Sequence, residues 1–335
     1  MARSDDDFAP ASTGGGNALK ALLWTGAAVG AAALANALIF YKTPPLVSQL
    51  PGESAYFPAP EGDIFYKKLG SGPPLLLVHG IGAGCSSHEW RSVIEPLADR
   101  HTVYALDLPG FGKSDKPDLA YTPELYLGWL DSFCREVLGV GGGRGEADVI
   151  ATSLSAALII GLSQRDPSLF HRLVLVAPTG FEALSRATGA AGSAAYAALK
   201  TPVLGTSVYN AIASRPAMKE YLTRRIYHDP AHVTPELVAQ FHTAAHQPGG
   251  ERVLPAFASG KLNFDVSELF PGVVDLPLLV WGRHAVETPL DHAAPFLKAN
   301  ANAKLEVIED AGMLPHDERP EAFLAAVRPF LAGAD

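Results

Sequence analysis

Seven short apolar runs, rich in Val, Leu and Ile, constrain the fold of this chain more than any other feature. They cover residues 63–69, 74–80, 102–108, 148–152, 172–178, 277–282 and 304–310. Nearly all are continuously apolar, which is typical of strands buried on both faces of a parallel sheet. The segments between them have helical patterns and supply the right-handed crossovers that parallel strands need. The sequence therefore predicts an α/β fold, with a mostly parallel twisted sheet flanked by helices.

One gap between these runs is too long for a single crossover. It lies between residues 178 and 277 and holds several Ala-rich helical stretches. We predict a helical cap over residues 181–272, inserted into a core formed by residues 61–180 and 273–335. In α/β folds, ligands bind at the carboxyl edge of the sheet, and we expect the cap to cover that edge.

Residues 21–41 carry no charged side chain. A helix of this length reaches about 31 Å, at ~1.5 Å per residue, which is enough to span a bilayer. We predict a transmembrane helix over 21–41, after a disordered tail (1–20) and before a linker (42–60). A cleaved signal peptide is the alternative, although the apolar run exceeds the usual length of its hydrophobic region. The numbers of positive charges before and after this run differ by one, which leaves undetermined on which side of the membrane the globular domain lies.

Composition excludes several classes of protein. With 48% hydrophobic and 18% charged residues, the chain is not disordered, and two cysteines exclude a disulfide scaffold or an array of zinc ribbons. A net charge of -9 argues against a nucleic-acid partner. The expected partners are an apolar small molecule and the membrane, and the oligomeric state stays open.

The strand at 148–152 runs directly into Ser153 and a helical pattern, which is the layout of a nucleophile elbow. Such an elbow demands small residues two positions before and after the nucleophile. Ala151 and Ser155 meet that demand in place of the usual glycines. Ser155 is the alternative nucleophile, but the strand end favours Ser153.

Three further motifs follow strands in the order 79–82 (HGIG), 107–117 (DLPGFGKSDKP) and 281–289 (WGRHAVETP). The first also resembles a dinucleotide-binding fingerprint, but Cys85 stands where the third glycine is required. We therefore do not predict a nucleotide site.

Together, the elbow and these motifs resemble the α/β-hydrolase fold superfamily over about residues 60–333. The resemblance implies that Ser153 attacks a carbonyl carbon. It also implies that the backbone amides of Ile81 and Leu154 bind the oxyanion that forms.

The chain departs from the superfamily at two positions of the catalytic triad. Ala285 stands where the resemblance implies the triad acid, and Met313 stands where it implies the histidine base. A thioether does not accept the serine proton at neutral pH, so the standard triad cannot form.

Substitutes lie close by in the sequence. His316 is three residues after the missing base, and Glu287 is two residues after the missing acid. We predict a displaced triad of Ser153, His316 and Glu287. The alternative is that both are polar residues without a catalytic role. His284 is a weaker candidate for the base, and we expect His79 to brace the oxyanion loop.

His246 and Asp265 lie near the exit of the predicted cap and are candidates for contact with a substrate. His242 and His246 have the i, i+4 spacing of a metal-ligand pair, as do His228 and His232. Neither pair has a third ligand in the sequence pattern. We therefore predict no metal and no cofactor.

These features predict a membrane-anchored hydrolase of small or lipid-like apolar esters or amides, with a Ser nucleophile and a non-standard triad. The main alternative is a catalytically silent protein of the same fold that binds an apolar ligand or a membrane partner. Carbon–carbon cleavage and haloperoxidation are further options.

Overall fold

The computed structural model describes residues 14–143, 145–186, 188–273 and 277–333. Its centre is a mixed sheet with the strand order β1-β2-β4-β3-β5-β6-β7-β8. The strands are β1 (Glu53–Ala59), β2 (Gly62–Leu69), β3 (Pro74–Val78), β4 (Thr102–Leu106), β5 (Ala147–Thr152), β6 (Phe170–Val176), β7 (Pro277–Gly282) and β8 (Lys304–Ile308). The pairs β1–β2 and β2–β4 are antiparallel, and every other pair is parallel.

Helices precede the sheet, cover both of its faces and fill the long gap between β6 and β7. They are α1 (Gly14–Lys42), α2 (Ile94–Ala98), α3 (Pro123–Phe133), α4 (Ser153–Arg165), α5 (Ala190–Leu199), α6 (Pro202–Ile212), α7 (Arg215–Tyr221), α8 (Pro235–Ala245), α9 (Leu254–Ala258), α10 (Ala293–Ala299), α11 (Pro315–Glu318) and α12 (Pro320–Leu331). Helices α5–α9 occupy the segment predicted as the cap.

Alternation along the strands divides the core into two layers. Leu76 and Val78 of β3 belong to the layer that contains α3 and α4, whereas Leu75 and Leu77 belong to the layer that contains α2 and α12. Successive side chains of a strand point to opposite faces, so an unbroken apolar run fills both layers. The predicted α/β fold is therefore confirmed.

Two predicted boundaries are wrong. The linker predicted over 42–60 contains β1, an edge strand in which only Phe57 is buried, so the sequence shows no continuous apolar run there. Helix α1 begins at Gly14, inside the tail predicted over 1–20. Residues 1–13 of that tail lie outside the described residues. Within α1, the stretch Trp24–Lys42 is long and apolar enough to cross a membrane, a property that it shares with signal sequences.

Candidate active site

Ser153 stands at the junction of β5 and α4 and has left-handed backbone angles, with φ at 54°. A non-glycine residue in this region costs about 1–3 kcal/mol, and such strain persists where the surrounding structure fixes it. Ala151 and Ser155, on either side, are fully buried. The Ser155 hydroxyl donates a hydrogen bond to the carbonyl of His79 at 2.6 Å. Ser155 therefore ties the elbow to the neighbouring loop, whereas Ser153 is half-buried.

The loop after β3 carries Ile81, one of the two predicted oxyanion donors. His79, before it, is fully buried, with Nδ1 2.6 Å from the carbonyl oxygen of Gly80 and Nε2 3.0 Å from the backbone nitrogen of Leu108. Because Nε2 accepts from that N–H, Nδ1 carries the proton and donates. Both ring nitrogens are thus engaged in holding the loop. The other predicted donor, the amide of Leu154, lies in the first turn of α4, where helix N–H groups lack intrahelical partners.

The positions of the missing acid and base are packed with apolar side chains. Ala285 and Met313 are 7% and 4% exposed. The Met313 sulfur accepts a hydrogen bond from the backbone N–H of Thr288 at 3.4 Å, and its own N–H donates to the carbonyl of Ile226 in the cap segment at 2.7 Å. A buried thioether held in this way does not transfer protons.

His316 is fully buried at the start of α11. Its ring stacks on Trp90, with centroids 4.4 Å apart, and meets the edge of Phe323. Its Nε2 lies 3.4 Å from Oε1 of Glu89, and neither ring nitrogen has a hydrogen-bond partner among the described residues. The imidazole therefore has a carboxylate neighbour on one side and a free ring nitrogen on the other.

Glu89 joins this histidine to the nucleophile elbow. Its Oε1 accepts a hydrogen bond from the hydroxyl of Thr152, the residue before Ser153, at 2.5 Å. Its Oε2 accepts from the N–H of Gly80 at 3.1 Å. Burial acts to raise the pKa of the Glu89 carboxyl, but the interaction with the nearby His316 imidazole and the hydrogen bond from Thr152 outweigh it, so the pKa lies below its usual value.

The predicted partnership of His316 with Glu287 is corrected by this geometry. Oε1 of Glu287 lies 2.6 Å from Nε of Arg225, which follows α7 in the cap segment, and the Glu287 side chain is 33% exposed. Glu287 therefore lies on a loop at the protein surface, where it forms an ion pair with Arg225. Glu89 is not among the residues predicted from the sequence, in which it lies far from His316.

The two acidic residues that follow His316 fix the loops around it. Asp317 accepts hydrogen bonds from Tyr227 at 2.6 Å and Ser92 at 2.7 Å, and forms an ion pair with Arg91. Glu318 accepts from the backbone N–H groups of Asp229 and Gly312. These bonds join the cap segment to the start of α11 and hold His316 in place.

The structure separates the two predicted substrate contacts. His246 is buried at the end of α8, where its ring packs 5.5 Å from that of Phe40 in α1 and 5.8 Å from that of Tyr209 in α6. Burial lowers its pKa. Asp265 is exposed, and its carboxylate accepts from the N–H of Ser267. Contact of either residue with substrate stays a prediction.

One group of side chains within the described residues has ligand atoms close enough to hold a metal ion. His228, His284 and Asp310 place one such atom each within 4.8 Å of one another. All three are exposed, and the two imidazole rings stack at 3.8 Å. Exposed groups of this kind occur without an ion, so we base no function on them.

Comparisons with known proteins agree with this fold. A model described as "Alpha/beta hydrolase family" matches residues 75–326. The chain is 29% identical over 273 residues to the uncharacterized protein Rv2715 of Mycobacterium tuberculosis, covering 79% of this chain and 77% of that protein. It is 35% identical over 116 residues to 2-hydroxy-6-oxo-6-(2'-aminophenyl)hexa-2,4-dienoic acid hydrolase of Metapseudomonas resinovorans, covering 34% of this chain and 39% of that enzyme.

Solved structures show the same fold. A serine hydrolase involved in carbazole degradation (CarC enzyme) has a TM-score of 0.67 and 24% identity, covering 84% of this chain and 99% of that one. A membrane phospholipase A has a TM-score of 0.65 and 19% identity, covering 94% of this chain and 97% of that one.

Proposed function

The chain belongs to the alpha/beta hydrolase family, and from that premise we propose that it is a membrane-anchored serine hydrolase of small or lipid-like apolar esters or amides. The observation that carries the proposal is the strained backbone of Ser153, whose φ of 54° is kept although the standard acid and base are lost. Relatives named as hydrolases support hydrolysis as the reaction class. The apolar helix α1 supports the anchor.

In the proposed reaction, the Ser153 oxygen attacks the carbonyl carbon of the substrate. The N–H groups of Ile81 and Leu154 stabilise the oxyanion, at the loop that His79 holds and at the first turn of α4. The carbon–oxygen or carbon–nitrogen bond of the substrate then breaks, and the leaving group takes the proton that Ser153 lost. Water hydrolyses the acyl-enzyme and regenerates the Ser153 hydroxyl.

We assign the proton transfer to His316 and the compensating charge to Glu89. Three contacts support this assignment: Glu89 lies 3.4 Å from His316, hydrogen-bonds Thr152 beside Ser153, and also hydrogen-bonds Gly80 of the oxyanion loop. A buried carboxylate that stays ionised stabilises the imidazolium that forms when a histidine takes a proton. Because this histidine is displaced from the usual position, we expect slow turnover.

A catalytically silent ligand-binding protein is the second candidate. The buried Met313 favours it, because its sulfur is hydrogen-bonded to Thr288 at the position where the resemblance implies the base. In this case Ser153 keeps the strained backbone of the fold without reacting.

Hydrolysis of p-nitrophenyl esters with acyl chains of graded length separates these functions. The full chain in detergent or vesicles should release p-nitrophenol, and Ser153→Ala should abolish the release, whereas Ser155→Ala should retain it. No release above that of Ser153→Ala, combined with saturable binding of the esters, would favour the silent protein.

A further inference from the structure

Helix α1 is joined to cap helix α6 by a buried polar side chain. Asn36 is 8% exposed. Its Nδ2 donates to the carbonyl of Val203 at 3.3 Å and lies 3.0 Å from the Ser207 hydroxyl, and its Oδ1 accepts from Nδ2 of Asn210 at 2.9 Å. Most of the remaining side chains of α1 from Trp24 onward are exposed. The cap therefore contacts α1 along one face of the helix.

This contact lies inside the stretch of α1 that is able to span a membrane. Asn36 is six residues before Lys42, about 9 Å along a helix at ~1.5 Å per residue. Ala28 and Ala32 line a shared groove with α6, and Ala28 is about 21 Å from Lys42 by the same measure. If α1 crosses the bilayer, then α6 lies beside it at the depth of the hydrocarbon.

The hairpin formed by α5 and α6 has a surface that suits this environment. Residues 190–212 contain one charged side chain, Lys200, whose Nζ lies 2.9 Å from Oδ1 of Asp118. None of the ten residues of α5 is buried. Leu204 and Ile212 of α6 are 50% and 47% exposed. Exposed apolar surface is typical of contact with a membrane or a partner.

A basic segment follows the hairpin and favours the membrane as the partner. Arg215 and Lys219 of α7 are exposed, in a chain whose net charge is -9. Helix α6 runs in the same direction as α1, because Ala28 and Ala32 line the groove with the first residues of α6 and Asn36 contacts Asn210 near its end, and Arg215 begins α7 three residues after α6 ends. Basic side chains at the end of an apolar surface bind the headgroups of anionic lipids.

We propose that the exposed faces of α5 and α6 lie in the lipid bilayer beside α1, with Arg215 and Lys219 at the headgroups. The cap of the candidate active site is then bound to the membrane by its own surface as well as by α1. Lys200, at the turn between α5 and α6, is paired with Asp118, so the turn brings no unpaired charge into the bilayer. The proposal depends on α1 lying in the membrane and not on catalysis at Ser153.

Site-specific labels test the proposal in the full chain. Single cysteines replace Ala197 in α5, Leu204 in α6, Val29 in α1 and the exposed Glu321 of α12, and each carries an environment-sensitive fluorophore. Burial raises the pKa of the native thiols of Cys85 and Cys134, and because Cys85 is partly exposed, labelling of the chain without an added cysteine gives the background. The protein is placed in vesicles of phosphatidylcholine and phosphatidylglycerol, and quenching by brominated lipid is compared with quenching by aqueous iodide.

We expect brominated lipid to quench the labels at 29, 197 and 204, and iodide to quench the label at 321. Lipid quenching at 29 with iodide quenching at 197 and 204 would overturn the proposal and leave the anchor intact. Iodide quenching at all four positions would overturn both. Protection of 197 and 204 from both quenchers would assign this face to a second protein chain and would also overturn the proposal.

Discussion

Glu89→Gln is the substitution that tests the assigned proton relay most sharply. The glutamine keeps the size of the side chain, and its amide is able to accept from the N–H of Gly80 and donate to the Thr152 hydroxyl, the two groups that Glu89 now contacts. What it removes is the negative charge 3.4 Å from His316. We therefore expect the variant to fold and to lose catalytic rate.

The magnitude follows from the burial of the pair. His316 and Glu89 are 0% and 5% exposed at their side chains, and removing one partner of such a pair costs about 3–5 kcal/mol when the other is charged. This penalty falls on the transition state, in which the imidazolium forms, and corresponds to a loss of about 10²- to 10⁴-fold in rate. The matched control is Glu287→Gln, which removes a partly exposed ion pair with Arg225 worth about 0–1 kcal/mol.

The assay is the rate at which a fluorophosphonate labels Ser153 in the two variants and in the unmodified chain. Circular dichroism and thermal unfolding establish that both variants are folded. Labelling of a folded Glu89→Gln at the unmodified rate would refute the assigned role of Glu89. Equal losses of labelling rate in both variants would contradict the different roles assigned to Glu89 and Glu287.

Three further outcomes are expected. The double variant Met313→His with Ala285→Asp should raise the rate of ester hydrolysis by about 10²-fold or more, since a correctly positioned general base contributes about 10²–10⁴ in rate. An unchanged rate in a folded variant would indicate that the rest of the site is inactive. Because the pKa of Glu89 is lowered on folding, the stability it contributes is present above about pH 4.3 and is lost as the pH falls through the lowered value. Melting temperatures should therefore fall less steeply below pH 4.3 in Glu89→Gln than in the unmodified chain, and parallel curves would contradict this. Ser155→Ala should lower the free energy of unfolding by about 1–3 kcal/mol, because it leaves the buried carbonyl of His79 without its hydroxyl donor. Denaturant titration measures that loss, and fluorophosphonate labelling of Ser153 should persist in the variant.

The sequence predicted the elements whose periodicity is set by burial. The seven apolar runs correspond to β2–β8; β3–β7 are largely apolar because both of their faces are buried, whereas β2 and the edge strand β8 are only partly buried. Strand β1 escaped prediction because its sequence contains no apolar run, and only Phe57 is buried. The position of Ser153 was predictable because the strand before it and the helix that it begins follow each other with no loop residue between them.

The partner of His316 was not predictable from spacing along the chain. Glu287 is the nearer candidate by analogy with the usual acid loop, but that loop directs it toward Arg225. Glu89 is 227 positions away in the sequence and reaches His316 because Trp90 packs against the imidazole ring. Contacts of this kind depend on how loops from separate strands meet, which no local pattern records.

Fluorophosphonate labelling of membranes that contain the full chain tests the proposed nucleophile and the proposed base together. We expect a covalent adduct on the peptide that holds Ser153, absent in Ser153→Ala and formed at least about 10²-fold more slowly in His316→Gln. An adduct on Ser153 that forms at the same rate in His316→Gln would contradict the proton relay. The absence of any Ser153-dependent adduct would contradict the serine hydrolase itself.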